Sequence, residues 1–312
     1  MRVFVAGAAG VIGRSLVPML VKAGHEVTGG TRSEARADDI RAMGAEPVIR
    51  DVFDAEAVKR AVAAARPEVL INELTALPTS INPRARSEQF AGTNRLRREA
   101  SRILMDAAAE AGARRVVAQS IAFVYRLTGE GLKSEDDDLF LEAPPPSGEV
   151  VAAVAELERN VTRDDRVEGV VLRYGYFYGP GTAYARDGSF ADLARRRRLA
   201  IVGPGTGVFS FIHVDDAARA TVAALDRGSS GIYNVVDDDP APVRDWVPAF
   251  AEAVGAPKPR RVPAWLARVV AGRYTVELMT ASRGASNAKA HAELGLDLRF
   301  PSWREGFREG LG

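Results

Sequence analysis

Three glycines near the start of the chain, Gly7, Gly10 and Gly13, have the spacing of a turn that could hold a phosphate. An apolar run typical of a strand precedes them and an amphipathic segment follows, which predicts strand, tight turn and helix. The first glycine permits the turn, the second lets backbone approach a pyrophosphate, and the third lets the helix pack against the strand. Because a helix N-terminus also offers unpaired N–H groups, the stretch predicts dinucleotide binding, with Val11 and Ile12 part of the turn.

The segment after the second predicted strand contains Thr31, Arg32 and Ser33 and no carboxylate. An acidic residue here binds the ribose 2′-hydroxyl of NAD, whereas an arginine accommodates the 2′-phosphate of NADP. The sequence therefore predicts that NADP(H) is preferred over NAD(H). The alternative is that Arg32 is a solvated loop residue.

Short apolar strands and helices alternate along most of the chain, as at residues 69–72, 115–119 and 170–173. A long helix is predicted from about Arg86 to Gly112. This alternation predicts an α/β fold, a Rossmann-type doubly wound parallel sheet whose ligand lies across the carboxyl ends of the strands. The more helical C-terminal part predicts a smaller substrate cap, with Trp246, Trp265 and Trp303 in its core.

Composition narrows the function classes. The chain has 312 residues, a formal net charge of +1 and no cysteine. Charges of both signs alternate, so neither nucleic acid nor a membrane is an expected partner. The acidic run at residues 135–138 lacks histidines and patterned oxygen ligands, which predicts a solvated loop and no metal site. Without a signal-peptide pattern or an apolar window of about 18 residues, a cytoplasmic location is expected.

Taken together, six stretches give the chain a resemblance to the extended short-chain dehydrogenases/reductases, the group also called NAD-dependent epimerases/dehydratases. Singly none of them is specific. They are the glycine turn, Asp51 with Val52, Asn94, and residues 120–125, 172–180 and 211–216.

The resemblance implies a cofactor domain of residues 1–178 plus 213–237 and a substrate-binding cap of residues 179–212 plus 238–312. It also implies a small-molecule substrate and a homodimer formed through two long helices beside the sheet. His213 has a structural role in that family and is not expected to be catalytic. Together with the two segments above, the resemblance predicts these cofactor-binding residues: Gly7, Gly10, Val11, Ile12, Gly13, Thr31, Arg32, Ser33, Asp51, Val52, Leu74, Thr75, Ala76, Asn94, Ser120, Tyr174 and Tyr176.

The family's catalytic pair, a tyrosine followed four residues later by a lysine, is missing from this sequence. Its phenol exchanges a proton with the substrate, and the nearby ammonium lowers the phenol pKa. None of the seven tyrosines here has a lysine at that spacing. The expected positions fall on Gly148 and Ala152 if the helix is aligned on Glu156, or on Val150 and Val154 if it is aligned on Glu158.

Two hydroxyls are the catalytic candidates that remain, Ser120 and Tyr125. Tyr125 could replace the missing proton donor, although a packed tyrosine ending a turn is the alternative. Tyr174 and Tyr176 are comparable candidates for lining the pocket. Glu149 could supply a carboxylate, but an acid is also favoured at a helix start on electrostatic grounds.

The leading functional hypothesis is an NADP(H)-dependent oxidoreductase acting on a small organic carbonyl or alcohol. A second is a non-catalytic NADP(H) sensor or regulatory protein that lost the chemistry with the catalytic pair. A third is an epimerase or dehydratase that uses bound cofactor as an internal redox relay. The four arginines at residues 195–198 end a predicted helix, and an acidic-substrate site there is the alternative to simple dipole complementarity.

Overall fold

The computed structural model describes residues 1–77 and 88–312, and a parallel sheet forms its centre. The strands are β1 (Arg2–Ala6), β2 (Glu26–Thr31), β3 (Glu46–Ile49), β4 (Val69–Asn72), β5 (Arg115–Ile121), β6 (Glu168–Tyr174), β7 (Tyr176–Tyr178), β8 (Ile201–Val202), β9 (Val208–Phe209), β10 (Phe211–His213), β11 (Gly231–Val235), β12 (Ala241–Pro242) and β13 (Arg261–Val262). Seven of them form the sheet, in the order β11-β6-β5-β4-β1-β2-β3, and every neighbouring pair is parallel. The order reverses between β1 and β4, so a ligand crevice is expected there.

Helices cover both faces of this sheet. They are α1 (Val11–Lys22), α2 (Glu34–Ala42), α3 (Ala55–Ala65), α4 (Glu88–Arg95), α5 (Ser101–Glu110), α6 (Ser147–Thr162), α7 (Ser189–Arg195), α8 (Val214–Ala223), α9 (Val243–Ala253), α10 (Ala264–Ala271), α11 (Arg273–Ala281) and α12 (Trp303–Glu309). Apolar residues of α1 and α8, such as Leu16 and Ala217, form one core with the sheet. Those of α3, α5 and α6, such as Val62, Leu104 and Leu157, form a core with different sheet residues. The predicted Rossmann-type doubly wound α/β fold is confirmed.

Two predicted elements have different bounds. Strand β2 continues to Thr31, so Thr31 closes the strand and Arg32 and Ser33 follow it. The long helix predicted from Arg86 begins outside the described residues, and a π-helical segment (Leu96–Ala100) separates α4 from α5. A second π-helical segment (Ala290–Leu294) lies near the C-terminus. The helix is thus interrupted rather than continuous to Gly112.

The C-terminal part of the chain contributes to an aromatic core that is separate from the two cores of the sheet. Trp246 and Trp303 are fully buried there, beside Phe211 and Phe250. Trp265, in contrast, is 68% exposed on α10, so its prediction as a core residue was wrong. In helix α10, Ala267 is the residue that is buried, so only a narrow face of this helix packs against the rest of the protein. The predicted division into cofactor domain and cap remains a prediction.

The glycine-rich turn at residues 203–207 connects β8 and β9, which do not pair with each other. Strand β8 before it pairs with β13, and β9 after it pairs with β12. Each strand is therefore held by a segment that comes later in the chain. Among the described residues, no helix is both long enough and apolar enough to cross a membrane.

Candidate active site

The glycine turn joins β1 to α1 at the carboxyl edge of the sheet. Gly7 has a φ of 91°, and a Cβ there would lie 2.8 Å from the backbone oxygen of Glu73. A Cβ on Gly13 would lie 2.3 Å from the backbone oxygen of Ala8. Gly10 is the N-cap of α1, and no side chain in the described part of the chain caps this helix N-terminus. The first N–H groups of α1 are thus available to an anion.

A cleft of about 970 Å³, open to solvent, begins at this turn. It extends along the carboxyl ends of the first strands, where the switch point predicts a ligand. Eight of the predicted cofactor-binding residues line it: Gly7, Gly10, Thr31, Arg32, Asp51, Val52, Leu74 and Thr75.

Two further arginines line the same cleft, Arg36 and Arg50, and sequence reasoning missed both. Arg36 lies in the first turn of α2, four residues after Arg32, and Arg50 directly follows β3, the strand beside β2. The four-residue spacing from Arg32 could have indicated Arg36. Arg50 is distant in sequence, and only the pairing of β2 with β3 brings it close to Arg32. None of these three arginines forms an ion pair with a carboxylate of the described residues. They form a cationic group that can bind a phosphate.

The other predicted cofactor residues lie outside this cleft. Ile12 and Gly13 are buried within α1, whereas Val11 is exposed at its start. Ser33 is the N-cap of α2. The remaining residues with other contacts are Ala76, whose N–H bonds Thr93; Asn94, buried with its Oδ1 unpartnered; Ser120, which bonds Glu158; Tyr174, which bonds Thr221; and Tyr176, which stacks on Phe209.

Ser120 belongs to a buried charged network rather than to an open pocket. Its hydroxyl donates to Glu158 Oε1 at 2.8 Å. The Arg173 guanidinium donates to both oxygens of Glu158, each at 2.7 Å. Because Glu158 and Arg173 are only 4% and 3% exposed, this bidentate pair fixes β5, α6 and β6 relative to one another.

Tyr125 joins that network from the other side. Arg173 donates to its hydroxyl at 2.7 Å, and the hydroxyl donates to Asn234 Oδ1 at 2.6 Å. Burial raises the pKa of Tyr125 to about 12, although Arg173 and Asn234 lower it. The phenol proton therefore already has an acceptor, which makes Tyr125 a weak proton donor to a substrate.

The positions expected for the family's catalytic pair hold no proton-transfer group. A Cβ on Gly148 would lie 2.3 Å from the backbone oxygen of Ala143, so no larger side chain fits there. Val154 is fully buried in an apolar cluster with Ile121, and Val150 packs against the same cluster. Neither alignment of α6 therefore supplies a phenol or an ammonium.

A second cleft, beside Tyr125, has aromatic walls and basic groups. The Tyr176 ring stacks between Phe123 at 4.3 Å and Phe209 at 4.6 Å, measured between ring centroids. The described lining also includes three cations, Arg126, Lys133 and Arg283. Lys133 is paired with Asp137 and Arg126 with Glu142. Arg283 forms no ion pair with the described residues and is exposed at this cleft.

The sequence and the fold are similar to those of known proteins. The model of the NAD dependent epimerase/dehydratase family matches residues 3–236. The 3-diazoavenalumate denitrifying reductase of a Streptomyces species is 47% identical over 307 residues, which cover 98% of this chain and 99% of the relative. A Stigmatella aurantiaca enzyme, 4-hydroxy-2-methyl-3-oxo-4-farnesyl-3,4-dihydroquinoline-1-oxide ketoreductase, is 29% identical over 82% of this chain and 74% of its own length.

Solved structures show the same fold. A UDP-glucose 4-epimerase from Thermotoga maritima, crystallised with UDP-glucose, aligns with a TM-score of 0.76 at 21% identity, over all of this chain and 97% of its own. A human epimerase family protein crystallised with NADPH aligns with a TM-score of 0.74 at 22% identity, over all of this chain and 98% of its own.

Proposed function

Because the chain belongs to the NAD dependent epimerase/dehydratase family and is an oxidoreductase-type enzyme, we propose that it is an NADPH-dependent reductase of a conjugated carboxylate whose diazo group is carried on an aromatic ring as an aryl diazonium. The reaction replaces the diazo group with hydrogen and releases dinitrogen. The observation that carries this proposal concerns the positions where the family's proton-transfer pair is expected. Gly148 has no room there for a side chain, and Val150 and Val154 pack in an apolar cluster. The chemistry that remains for this site is then delivery of a hydride without a proton.

The cleft beside the glycine turn fits a dinucleotide. Gly7 and Gly13 leave no room for a Cβ, so backbone alone forms the cradle for the pyrophosphate. Arg32, Arg36 and Arg50 supply positive charge where the ribose 2′-phosphate of NADP would lie. Bound NADPH would supply the hydride, and these arginines are why we prefer it to NADH.

Removal of a diazonium group differs from carbonyl reduction in its proton balance. A carbonyl takes up a hydride and a proton, so its reductases need an acid beside the substrate. A diazonium carbon takes up one hydride in a new C–H bond, and the electron pair of the broken C–N bond leaves with dinitrogen. No proton is consumed, so a site without the Tyr and Lys pair suffices.

The aromatic cleft fits the rest of such a substrate. A flat conjugated ring can stack on Phe123, whose ring lies at the cleft beside Tyr176. Arg283, which is exposed there, can bind a carboxylate through its planar guanidinium. Buried Ser120 and Tyr125 then act as positioning residues, since their hydroxyl protons already bond Glu158 and Asn234.

The test uses the purified protein, NADPH and 3-diazo-4-hydroxycinnamate as the probe, with heat-denatured protein as the control for uncatalysed reduction. We expect NADPH loss and dinitrogen release in equal amounts, and deuterium transfer from 4-deuterated NADPH into the product ring in ordinary water. Dinitrogen release no faster than in the control would refute the proposal. Deuterium missing from the product would also refute it.

Carbonyl reduction is the second candidate, because two relatives are named as a ketoreductase and as a 2-alkyl-3-oxoalkanoate reductase. It requires a proton donor, and two phenols in the described lining of the aromatic cleft, Tyr125 and Tyr176, are the candidates. A panel of ketones run beside the diazo probe separates the two reactions. Stoichiometric NADPH loss in either case would exclude an internal redox relay.

We further propose that the protein acts as a cytoplasmic homodimer joined through the helices beside the sheet. The support is the family resemblance described above. Sedimentation velocity over a range of protein concentrations distinguishes a dimer from a monomer.

A further inference from the structure

Glu73 is a buried carboxyl group at the wall of the nucleotide cleft that the proposed reaction does not use. It directly follows β4 and is 5% exposed. Its backbone oxygen lies against Gly7, the first glycine of the phosphate turn. An ionised carboxylate so close to a pyrophosphate site would repel the ligand.

Hydrogen-bond geometry around Glu73 favours its neutral form. Thr221 on α8 donates its hydroxyl proton to the Ala217 carbonyl at 2.8 Å. The Tyr174 hydroxyl, 2.6 Å from Thr221 Oγ1, must then donate to it. Tyr174 has no second proton for Glu73 Oε1 at 3.3 Å, so the chain of bonds is complete only when Glu73 donates to Tyr174.

The second oxygen of this carboxyl group is unused. Glu73 Oε2 is buried and has no hydrogen-bond partner among the described residues. Burial raises the pKa of Glu73 to about 8. No charged group of the described residues contributes to this pKa, so Tyr174 is the titratable neighbour that faces Glu73. Glu73 lines the cleft, and its unpartnered oxygen can accept a hydrogen bond from a ligand group that reaches it.

We propose that Glu73 binds the nicotinamide nucleotide as a neutral carboxylic acid, with Oε2 accepting a hydrogen bond from a hydroxyl or amide N–H group of the nucleotide. This inference rests on the proposed cofactor. Its consequence is that cofactor binding requires Glu73 to hold its proton. Alkaline pH therefore weakens binding, whereas the arginines of the cleft keep their charge.

The test is calorimetric titration of the full chain with NADPH from about pH 6.5 to about pH 9.5. If only the neutral form binds, the dissociation constant rises about 30-fold over that range. Glu73→Gln is the matched variant, because the amide keeps an acceptor oxygen and has no charge to gain. Its affinity should change less than about twofold over the same range.

A second measurement uses the wild-type protein alone, in case the variant folds poorly. Titrations at about pH 8 in buffers of different ionisation enthalpy should show uptake of about half a proton on NADPH binding. Wild-type affinity that is independent of pH, without proton uptake, would overturn the role of Glu73 and leave the proposed cofactor intact. An equal alkaline loss in wild type and Glu73→Gln would also overturn it. No binding of NADPH at any pH would overturn the proposed function itself.

Discussion

At the scale of single residues, the proposed preference for NADPH depends on side chains from three different places in the sequence. Arg32 follows β2, Arg36 lies in α2, and Arg50 follows β3. The sequence points to Arg32 because, in dinucleotide-binding folds, residues just after the second strand contact the 2′ position of the ribose. Arg50 joins it because Thr31 and Ile49 are paired in neighbouring parallel strands.

Replacing Arg50 by alanine tests this cluster. We expect Arg50→Ala to weaken NADPH binding about 10-fold to 100-fold, because a hydrogen bond to a charged group contributes about 1.5–3 kcal/mol. NADH, which lacks the 2′-phosphate, should bind equally well to both proteins. Calorimetric dissociation constants for the two nucleotides provide the measurement.

Arg41→Ala is the control for that experiment. Arg41 is exposed on α2, and its guanidinium pairs with Asp38 outside the cleft. Its removal should leave both affinities within about twofold, since exposed ion pairs contribute little. A parallel loss of NADH affinity in Arg50→Ala would show that the residue supports the whole cleft and does not select the phosphate.

At the scale of elements, the junction of β1 and α1 depends on close backbone contact. The backbone oxygens of Ala8 and Glu73 occupy the space that side chains on Gly13 and Gly7 would need. Helix α1 also packs closely on α8, the helix that carries Thr221. The turn, α1 and the wall of the proposed nucleotide cleft thus form one closely packed unit.

Gly13→Ala is predicted to disturb this unit. The new Cβ would lie 2.3 Å from the Ala8 oxygen, so the turn must move, at a cost of about 1–3 kcal/mol in the free energy of unfolding. Gly30→Ala is the matched control, because a Cβ there meets only ordinary contacts at 3.5 Å. Urea denaturation of both variants measures the difference. Equal stability of the two variants would contradict the close approach seen at Gly13.

At the scale of the whole molecule, Glu73 makes folding stability depend on pH. Its pKa is raised by burial from an ordinary value of 4.5 to about 8 in the folded protein. A raised pKa means that the folded state binds the proton more tightly than the unfolded state. The stability contributed by this proton is fully present below the ordinary pKa and is lost as pH rises towards the folded value.

Glu73→Gln should remove this dependence. We expect the free energy of unfolding of wild type, minus that of Glu73→Gln, to fall steadily from about pH 5 to about pH 8 and then to level off. Taking the difference removes the contribution of other carboxyls, which act in the opposite direction at low pH. Thermal or urea unfolding across this range provides the values. A difference that is constant with pH would mean that Glu73 titrates normally.

Local sequence determined much of this protein, because glycine spacing, apolar alternation and the position of Arg32 act over short distances along the chain. Those signals predicted the parallel sheet, the phosphate turn and one arginine of the cleft. Tertiary structure alone decided the partners of Tyr125, the burial of Glu73 and the approach of Arg50, since each depends on strands or helices that are distant in sequence. The exposure of Trp265 was decided in the same way, because an aromatic residue type does not indicate which face of a helix meets the core.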